Sequence, residues 1–371
     1  MKLSSLDLSD FRNYSNLKVE FGLQKNFLIG NNAQGKTNIL EAIYLLCLSK
    51  SFRTRFEKEA IQFSKPSFII KGDFSLDDGN LHKLIFQCSY DKGKEISLDR
   101  KRLNKSSELI GRFPIVVSAP DEYTLTLGPP LERRKFIDIL LSQIHKKYFY
   151  DLQDYHRTIQ QRNVLLADCK KTGQKKNALI EPWNQKLIDS GSQIIQYRFQ
   201  FSKLLSAQLN KIYSELVSTT EQLIFEYQPN IIFNNIERIK ENFEKRLKQS
   251  FDKEIYLGTS LSGPHRDEFI FKINGREIKK YGSRGQHKTV LLALAFAEYD
   301  LIKEHRQETP IILIDDLYSE IDCKRERKIV EKLDTMGQAF ITTTAKHNKE
   351  TKNGNDRYFV IDSGMIQIYS D

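Results

Sequence analysis

The segment Gly30-Asn31-Asn32-Ala33-Gln34-Gly35-Lys36-Thr37 sets two glycines, a lysine and a hydroxyl at the spacing G-x-x-x-x-G-K-[ST] of a phosphate-binding loop. Glycines let the backbone turn its amides onto phosphate oxygens, and the start of a following helix adds the positive end of its dipole. Lys36 is placed to bridge the β- and γ-phosphates of ATP, and Thr37 to ligate Mg²⁺. The flanks suit that chemistry: an apolar run, Phe27 to Ile29, comes before, and helical spacing over Asn38 to Leu48 comes after. The second chemical element is Ile311-Ile312-Leu313-Ile314-Asp315-Asp316, an apolar strand delivering carboxylates to its end. Asp315 would hold Mg²⁺ directly or through water, while Asp316 stands where a general base polarises an attacking water. Alone, this element reads as a buried strand ending in solvated aspartates; with the loop it reads as the other half of a nucleotide site.

The elements that must position these groups are legible as periodicities. Leu17, Val19 and Phe21 alternate, and Ser67–Phe74 and Leu81–Tyr90 read as strands joined through Gly79-Asn80. From about Leu131 to Asn210 the chain becomes long, charged and helical in spacing, with a polar break near Lys171 to Asn177. Strands return at Leu223–Tyr227 and Phe269–Ile273, and Asn274-Gly275 signals a turn. A helix is expected from about Gln286 to Lys303. Roughly 280 residues separate Lys36 from Asp315, more than a compact nucleotide-binding domain needs, so an insertion must lie between them. The expected architecture is an α/β head formed by residues 1–120 and 254–371, interrupted by a mainly helical arm at 121–253.

With 371 residues, 39% hydrophobic and 29% charged, the composition is that of a folded chain with a substantial core, which excludes global disorder. Fifty-eight Lys and Arg against 48 Asp and Glu leave a formal charge of +10, which favours polyanionic partners but also fits a generally basic surface. On the helical insertion Arg157, Arg162, Lys170, Lys171, Lys175 and Lys176 suit either a phosphate backbone or a solvated helix face. Cys47, Cys88, Cys169 and Cys323 lack the short spacings of a zinc site, and no run of about 18 apolar residues reads as a membrane span. A cytoplasmic chain without a membrane partner is the expectation.

Around these motifs the sequence resembles a known class. Gly282-Ser283-Arg284-Gly285-Gln286 is similar to the ABC signature, and Ser319-Glu320-Ile321-Asp322 to the D-loop. With the phosphate loop and acidic strand in this order, the chain resembles the ABC/SMC-type P-loop ATPase heads. In that class two heads enclose two ATP molecules, and the signature serine of one meets the γ-phosphate held by the other. The resemblance gives that role to Ser283, which without it would be a helix N-cap. Further segments narrow the resemblance to the RecF family: Asp10-Phe11-Arg12-Asn13-Tyr14, Thr37 to Tyr44, Ser51-Phe52-Arg53-Thr54, Arg133 to Asp138, Gln161-Arg162-Asn163 and Gly263-Pro264-His265-Arg266-Asp267. The family implies an ATP- and Mg²⁺-dependent homodimer with slow, DNA-stimulated hydrolysis. Its partners would be double-stranded and gapped DNA and a RecR-type recombination mediator, in recombinational repair and replication restart. The alternative is an SMC-like ATPase of another DNA-processing or defence system, which would normally carry a long heptad coiled coil or a nuclease. A transporter ATPase would have no reason to carry Gly263 to Asp267.

The sequence departs from the wider class at several positions. Arg284 replaces a signature glycine, and Asp316 replaces the usual glutamate base, whose longer reach favours faster turnover. The switch histidine would fall near Thr342, Thr343 and Thr344, with His347 close by. Asp121 or Glu122 either approaches the metal or belongs to a solvated turn. Arg12 either packs near adenine or phosphate, or is a strand-edge surface arginine. His265 and Arg266 either line the nucleotide pocket or dimer face, or form a turn paired with Asp267.

Overall fold

The computed structural model describes residues 1–119, 123–175, 177–217, 221–317, 323–344 and 356–368. The chain forms two compact units. One comprises Met1–Tyr123, Glu215–Ser218 and Ser283–Asp371; the other comprises Thr124–Ser214 and Thr219–Gly282.

The first unit opens with β1 (Lys2–Phe11), β2 (Tyr14–Glu20), β3 (Lys25–Ile29), α1 (Lys36–Leu48), β4 (Ser67–Ser75), β5 (Leu81–Ser89), β6 (Gly93–Leu98), β7 (Lys101–Arg102) and β8 (Ile115–Ser118). Six of these make an antiparallel sheet in the order β2-β1-β4-β5-β6-β7. The inward face of β1 carries Leu3, Leu6, Leu8 and Phe11, a pattern with two three-residue steps. A register shift between Leu3 and Ser5 absorbs the first, as a β-bulge does, and the second spans Asp10, whose φ is 52°. Phe11 meets Phe68 edge-on at 5.1 Å and Phe68 stacks on Phe86 at 5.8 Å, which joins three strands. α1 is buried from Ile39 through Leu48 and packs on β4, β5, β8 and the strand Ala339–Thr343. It is therefore a core element whose first turn emerges at the site.

The second unit holds α2 (Tyr123–Leu127, continuous with the first), α3 (Pro130–Ile144), α4 (Lys146–Thr172), most of α5 (Asn177–Val217), β9 (Leu223–Gln228), α6 (Ile239–Leu257), β10 (Glu268–Ile273), β11 (Arg276–Glu277) and α7 (Ile278–Tyr281). α4 ends at Gly173, whose φ of 70° is the left-handed C-cap that glycine supplies at the polar break expected there. β9, β10 and β11 form an antiparallel sheet turned at Asn274-Gly275. Because that sheet packs with α3, this unit continues to Gly282, whereas the sequence expectation returned to the head at Glu254.

The chain then re-enters the first unit through α8 (Arg284–Arg306), β12 (Ile311–Ile314), α9 (Cys323–Asp334), β13 (Ala339–Thr343), β14 (Arg357–Asp362) and β15 (Met365–Ile368). These complete a sheet in the order β15-β14-β3-β13-β12-β8, parallel except at the β15 edge. Strands β3, β12 and β13 are buried at every position, as in a sheet covered on both faces, although only β12 is apolar throughout. The parallel arrangement brings the carboxyl ends of β3, β12 and β13 side by side, where α/β sheets bind ligands.

Candidate functional site

The phosphate loop leaves the end of β3 and feeds α1. Gly30 is a close approach: a Cβ there would lie 2.3 Å from the Ile361 carbonyl oxygen. Gly35 has φ 114°, and a Cβ on it would meet the Asn13 side chain at 2.6 Å and the Tyr14 hydroxyl at 2.7 Å. Both glycines are therefore required by packing as well as by the loop's turn. The loop is braced from outside: Tyr14 Oη donates to Gly35 O at 3.1 Å, Asn13 Nδ2 to Gln34 O at 2.9 Å, and Gln34 Oε1 accepts from Ser363 N at 2.5 Å. Asn31, Asn32 and Ala33 remain exposed at the tip.

Lys36 is buried, and its Nζ donates to Gly30 O and Asn31 O, both at 2.7 Å. Burial lowers its pKa, against the pull of Asp315 and Asp316. Thr37 Oγ1 donates to Asp315 Oδ1 at 3.0 Å and Oδ2 at 2.9 Å, across 278 residues of sequence. The phosphate loop and the acidic strand thus meet through the two residues expected to hold Mg²⁺. Burial raises the Asp315 pKa and neighbouring Asp316 adds to this, while bonds from Thr342 and Thr37 oppose it. Asp315 N is held by Ser118 O at 2.7 Å, which ties the motif to β8 as well. Asp316 is half-buried with φ 54°, and its backbone oxygen accepts from Lys288 Nζ of α8 at 2.7 Å.

Ser283 is exposed at the N-cap of α8. Its Oγ accepts from Gln286 N at 3.2 Å, and Gln286 Oε1 accepts from Ser283 N at 2.9 Å, a reciprocal capping box. Ser283 and Arg284 therefore stand outward at the positive end of a 23-residue helix. The D-loop segment 319–322, Asp121, Glu122 and His347 lie outside the described residues. Of the three threonines near the switch position, Thr342 is fully buried and its hydroxyl donates to Asp315 Oδ1 at 2.5 Å.

One carboxylate of the site was not anticipated. Glu41 is fully buried one turn into α1 and is clamped by Arg12, with Nε to Oε2 at 2.9 Å and Nη2 to Oε1 at 2.6 Å. Ser51 Oγ at 2.6 Å and Arg53 Nη1 at 3.2 Å complete the shell. Arg12 is thus not free on a strand edge: its guanidinium neutralises a buried acid of α1. The signal available in the sequence was the acid itself, set inside the apolar run Ile39 to Leu48.

The remaining landmark segments fold into the polar core of the second unit. Asp267, fully buried, accepts from Arg198 Nη1 at 2.8 Å, Tyr227 Oη at 2.6 Å and Asn230 N at 2.9 Å. Arg198 also donates to Asp138 Oδ1 at 2.7 Å, and Arg134 donates to Asp267 O at 2.7 Å. His265 Nε2 donates to Ser260 O at 3.2 Å and Nδ1 accepts from Tyr155 Oη at 2.6 Å; burial pushes its pKa down to about 4. His265 is therefore an internal neutral bridge in a turn, and Asp267 pairs with a distant arginine instead of its neighbours. Arg162, read above as a basic residue of a helix surface, has no exposed side chain. Its Nη2 pairs with buried Glu254 at 2.6 Å, Nε donates to Asn184 at 2.8 Å and Nη1 to Ser260 at 2.7 Å. It is corrected from a phosphate contact to a buried ion pair. By contrast, Lys175 is exposed and meets Asp252 at 2.6 Å, and Arg157 lies exposed beside Asp154. No helix among the described residues is long and apolar enough to cross a membrane.

Comparison with known proteins fits this geometry. The family model described as RecF/RecN/SMC N terminal domain matches residues 2–367. The "DNA replication and repair protein RecF" of Ligilactobacillus salivarius (strain UCC118) is 35% identical over 370 residues, 99% of this chain and 97% of its own. The RecF of Streptococcus thermophilus (strain LMD-9) is 37% identical over 366 residues, 99% of this chain and 98% of its own. A solved structure described as "the recombination mediator protein RecF-ATP in RecFOR pathway" superposes with TM-score 0.91 at 32% identity, covering 99% of this chain and 97% of that one. An SMC head bound to the C-terminal winged-helix domain of ScpA shares the fold, with TM-score 0.56 at 13% identity. By sequence along nearly its whole length, and by fold, the chain belongs to the RecF family of DNA replication and repair proteins.

Proposed function

We propose that the chain is an ATP-dependent DNA-binding protein of recombinational repair and replication restart. In this reading ATP closes two copies into a dimer that engages gapped or junction-bearing duplex, and slow hydrolysis releases it. The observation that carries it is the hydrogen-bonded pair of Thr37 and Asp315, because only a nucleotide site requires this loop and this acid to converge. Lys36, freed from the Gly30 and Asn31 carbonyls, supplies the positive charge for the β- and γ-phosphates. A hydroxyl and a carboxylate are hard oxygen donors of the kind Mg²⁺ takes when nucleotide phosphates complete its shell, so Thr37 and Asp315 would hold it, and it would neutralise polyphosphate charge. Asp316 would accept the proton of the attacking water. Ser283 would reach the γ-phosphate of the partner copy, which its exposed place at a helix start permits. The formal charge of +10 and the relatives' role in repair support a DNA partner. A RecR-type mediator is the protein partner suggested by the likeness to the RecF-ATP structure of the RecFOR pathway. The test is light scattering with and without ATP and gapped duplex. ATP is expected to drive a monomer to a dimer, and DNA to strengthen it; a mass unchanged by nucleotide would overturn the reading.

A further inference from the structure

Thr342 sits on β13 with no exposed surface, between β12 and β3, so it faces both halves of the site. Its Oγ1 accepts from the Asp316 backbone N–H at 2.8 Å and donates to Asp315 Oδ1 at 2.5 Å. The direction is not free. A backbone amide can only donate, so the single hydroxyl proton is committed to the Asp315 carboxylate. Asp316 adopts φ 54°, a conformation that costs a residue bearing a Cβ and persists where its surroundings hold it. Here the peptide is held at both ends, by Thr342 at N and by Lys288 Nζ at the carbonyl oxygen.

We infer that Thr342 is a positioning residue of the nucleotide site. It keeps the Asp315 carboxylate turned to Thr37 and the Asp316 backbone in its left-handed turn, so that the metal-holding and base-bearing acids share one geometry. The inference rests on the ATP-site reading above. Valine at 342 keeps the volume and suits a strand, yet it leaves the Asp316 amide without an acceptor and Asp315 with one donor fewer. Serine keeps both bonds. The adjacent Thr343 is equally buried, and its hydroxyl donates to Thr344 O at 3.2 Å, so Thr343→Val removes a buried strand hydroxyl without touching the acids.

The test compares wild type, Thr342→Val, Thr342→Ser and Thr343→Val. One readout is the Mg²⁺ concentration that half-saturates the rise in melting temperature given by a non-hydrolysable ATP analogue; the other is steady-state hydrolysis resolved into kcat and KM. Thr342→Val is expected to need at least about tenfold more Mg²⁺ and to lose about ten- to hundredfold in kcat, the scale of one or two lost hydrogen bonds to a charged site. Thr342→Ser and Thr343→Val should stay within about threefold of wild type. Should valine prevent folding, Thr342→Cys carries the comparison with a weak donor in the same place. Equal Mg²⁺ demand and kcat in Thr342→Val, or an equal loss in Thr343→Val, would overturn the positioning role. A wild-type protein with no Mg²⁺-dependent shift would overturn the ATP reading itself.

Discussion

Replacing Glu254 by Gln should destabilise the second unit severely, and the structure sets the size. Glu254 and Arg162 both have fully buried side chains; they pair at 2.6 Å, and Glu254 Oε1 also accepts from Leu261 N at 2.7 Å. The amide keeps the shape but turns a donor or a neutral acceptor toward the guanidinium, leaving a buried charge uncompensated at a cost of about 3–5 kcal/mol. With a urea slope of about 3 kcal/mol per M, the unfolding midpoint should fall by about 1 to 2 M. The assay is intrinsic fluorescence: the single tryptophan, Trp183, lies on α5 beside Asn184, which accepts from Arg162. The double variant Arg162→Met with Glu254→Leu removes both charges. Asn184, Ser260 and the Leu261 amide then each lose a bond worth about 1 kcal/mol, so the recovery should be partial, with the double variant more stable than Glu254→Gln and less stable than wild type. The same double variant should bind DNA as wild type does, because Arg162 is not on the surface. A midpoint within about 0.2 M of wild type for Glu254→Gln would refute the reasoning, since surface changes stay within about 0.5 kcal/mol.

Other expectations follow from the head and from the turn at His265. Lys36→Met should abolish Mg²⁺-ATP binding, measured with a fluorescent nucleotide, because it removes the loop's mobile positive charge. Asp316→Asn should retain nucleotide binding while hydrolysis is suppressed by at least about tenfold, since the amide cannot take the proton; normal turnover would place the base elsewhere. His265, pushed down to about 4 by burial, is neutral in the fold, whereas the unfolded chain protonates it near pH 6.5. The unfolded state then binds more protons between those values, so stability is lost as pH falls from about 6.5 to about 4, by up to about 3 kcal/mol. Urea midpoints at pH 7 and pH 4 should differ less in His265→Phe than in wild type, and equal differences would contradict this.

The parts of the site carried by contiguous residues were legible in the sequence. The eight residues Gly30 to Thr37 and the six from Ile311 to Asp316 have chemistry that depends on local spacing, and both occupy strand ends as expected. The capping role of Ser283 was equally local. What remained hidden depends on contacts between distant residues. Glu41 draws its partners from 29, 10 and 12 residues away, so only the three-dimensional shell explains an acid inside an apolar helix. Thr342 reaches Asp315 because β13 pairs with β12 in one register, which no periodicity fixes. Gly263 to Asp267 stood out as a motif, but its partners lie 110 residues away at Tyr155 and 69 at Arg198. Spacing alone therefore could not tell a ligand pocket from a polar core.

The central claim is that ATP joins two heads through Ser283 and that the joined heads bind DNA. The most direct measurement is dimerisation by light scattering, paired with a salt titration of fluorescent duplex, for wild type and Ser283→Arg with ATP. Ser283 is exposed and away from Lys36 in sequence, so the variant should still bind nucleotide, while the added bulk and charge block closure. Wild type should dimerise and bind duplex with a steep dependence on salt, because two basic surfaces neutralise more phosphates. The variant should stay monomeric and bind weakly with a shallower slope. A Ser283→Arg protein that dimerises with ATP and binds duplex with the wild-type slope would contradict the account.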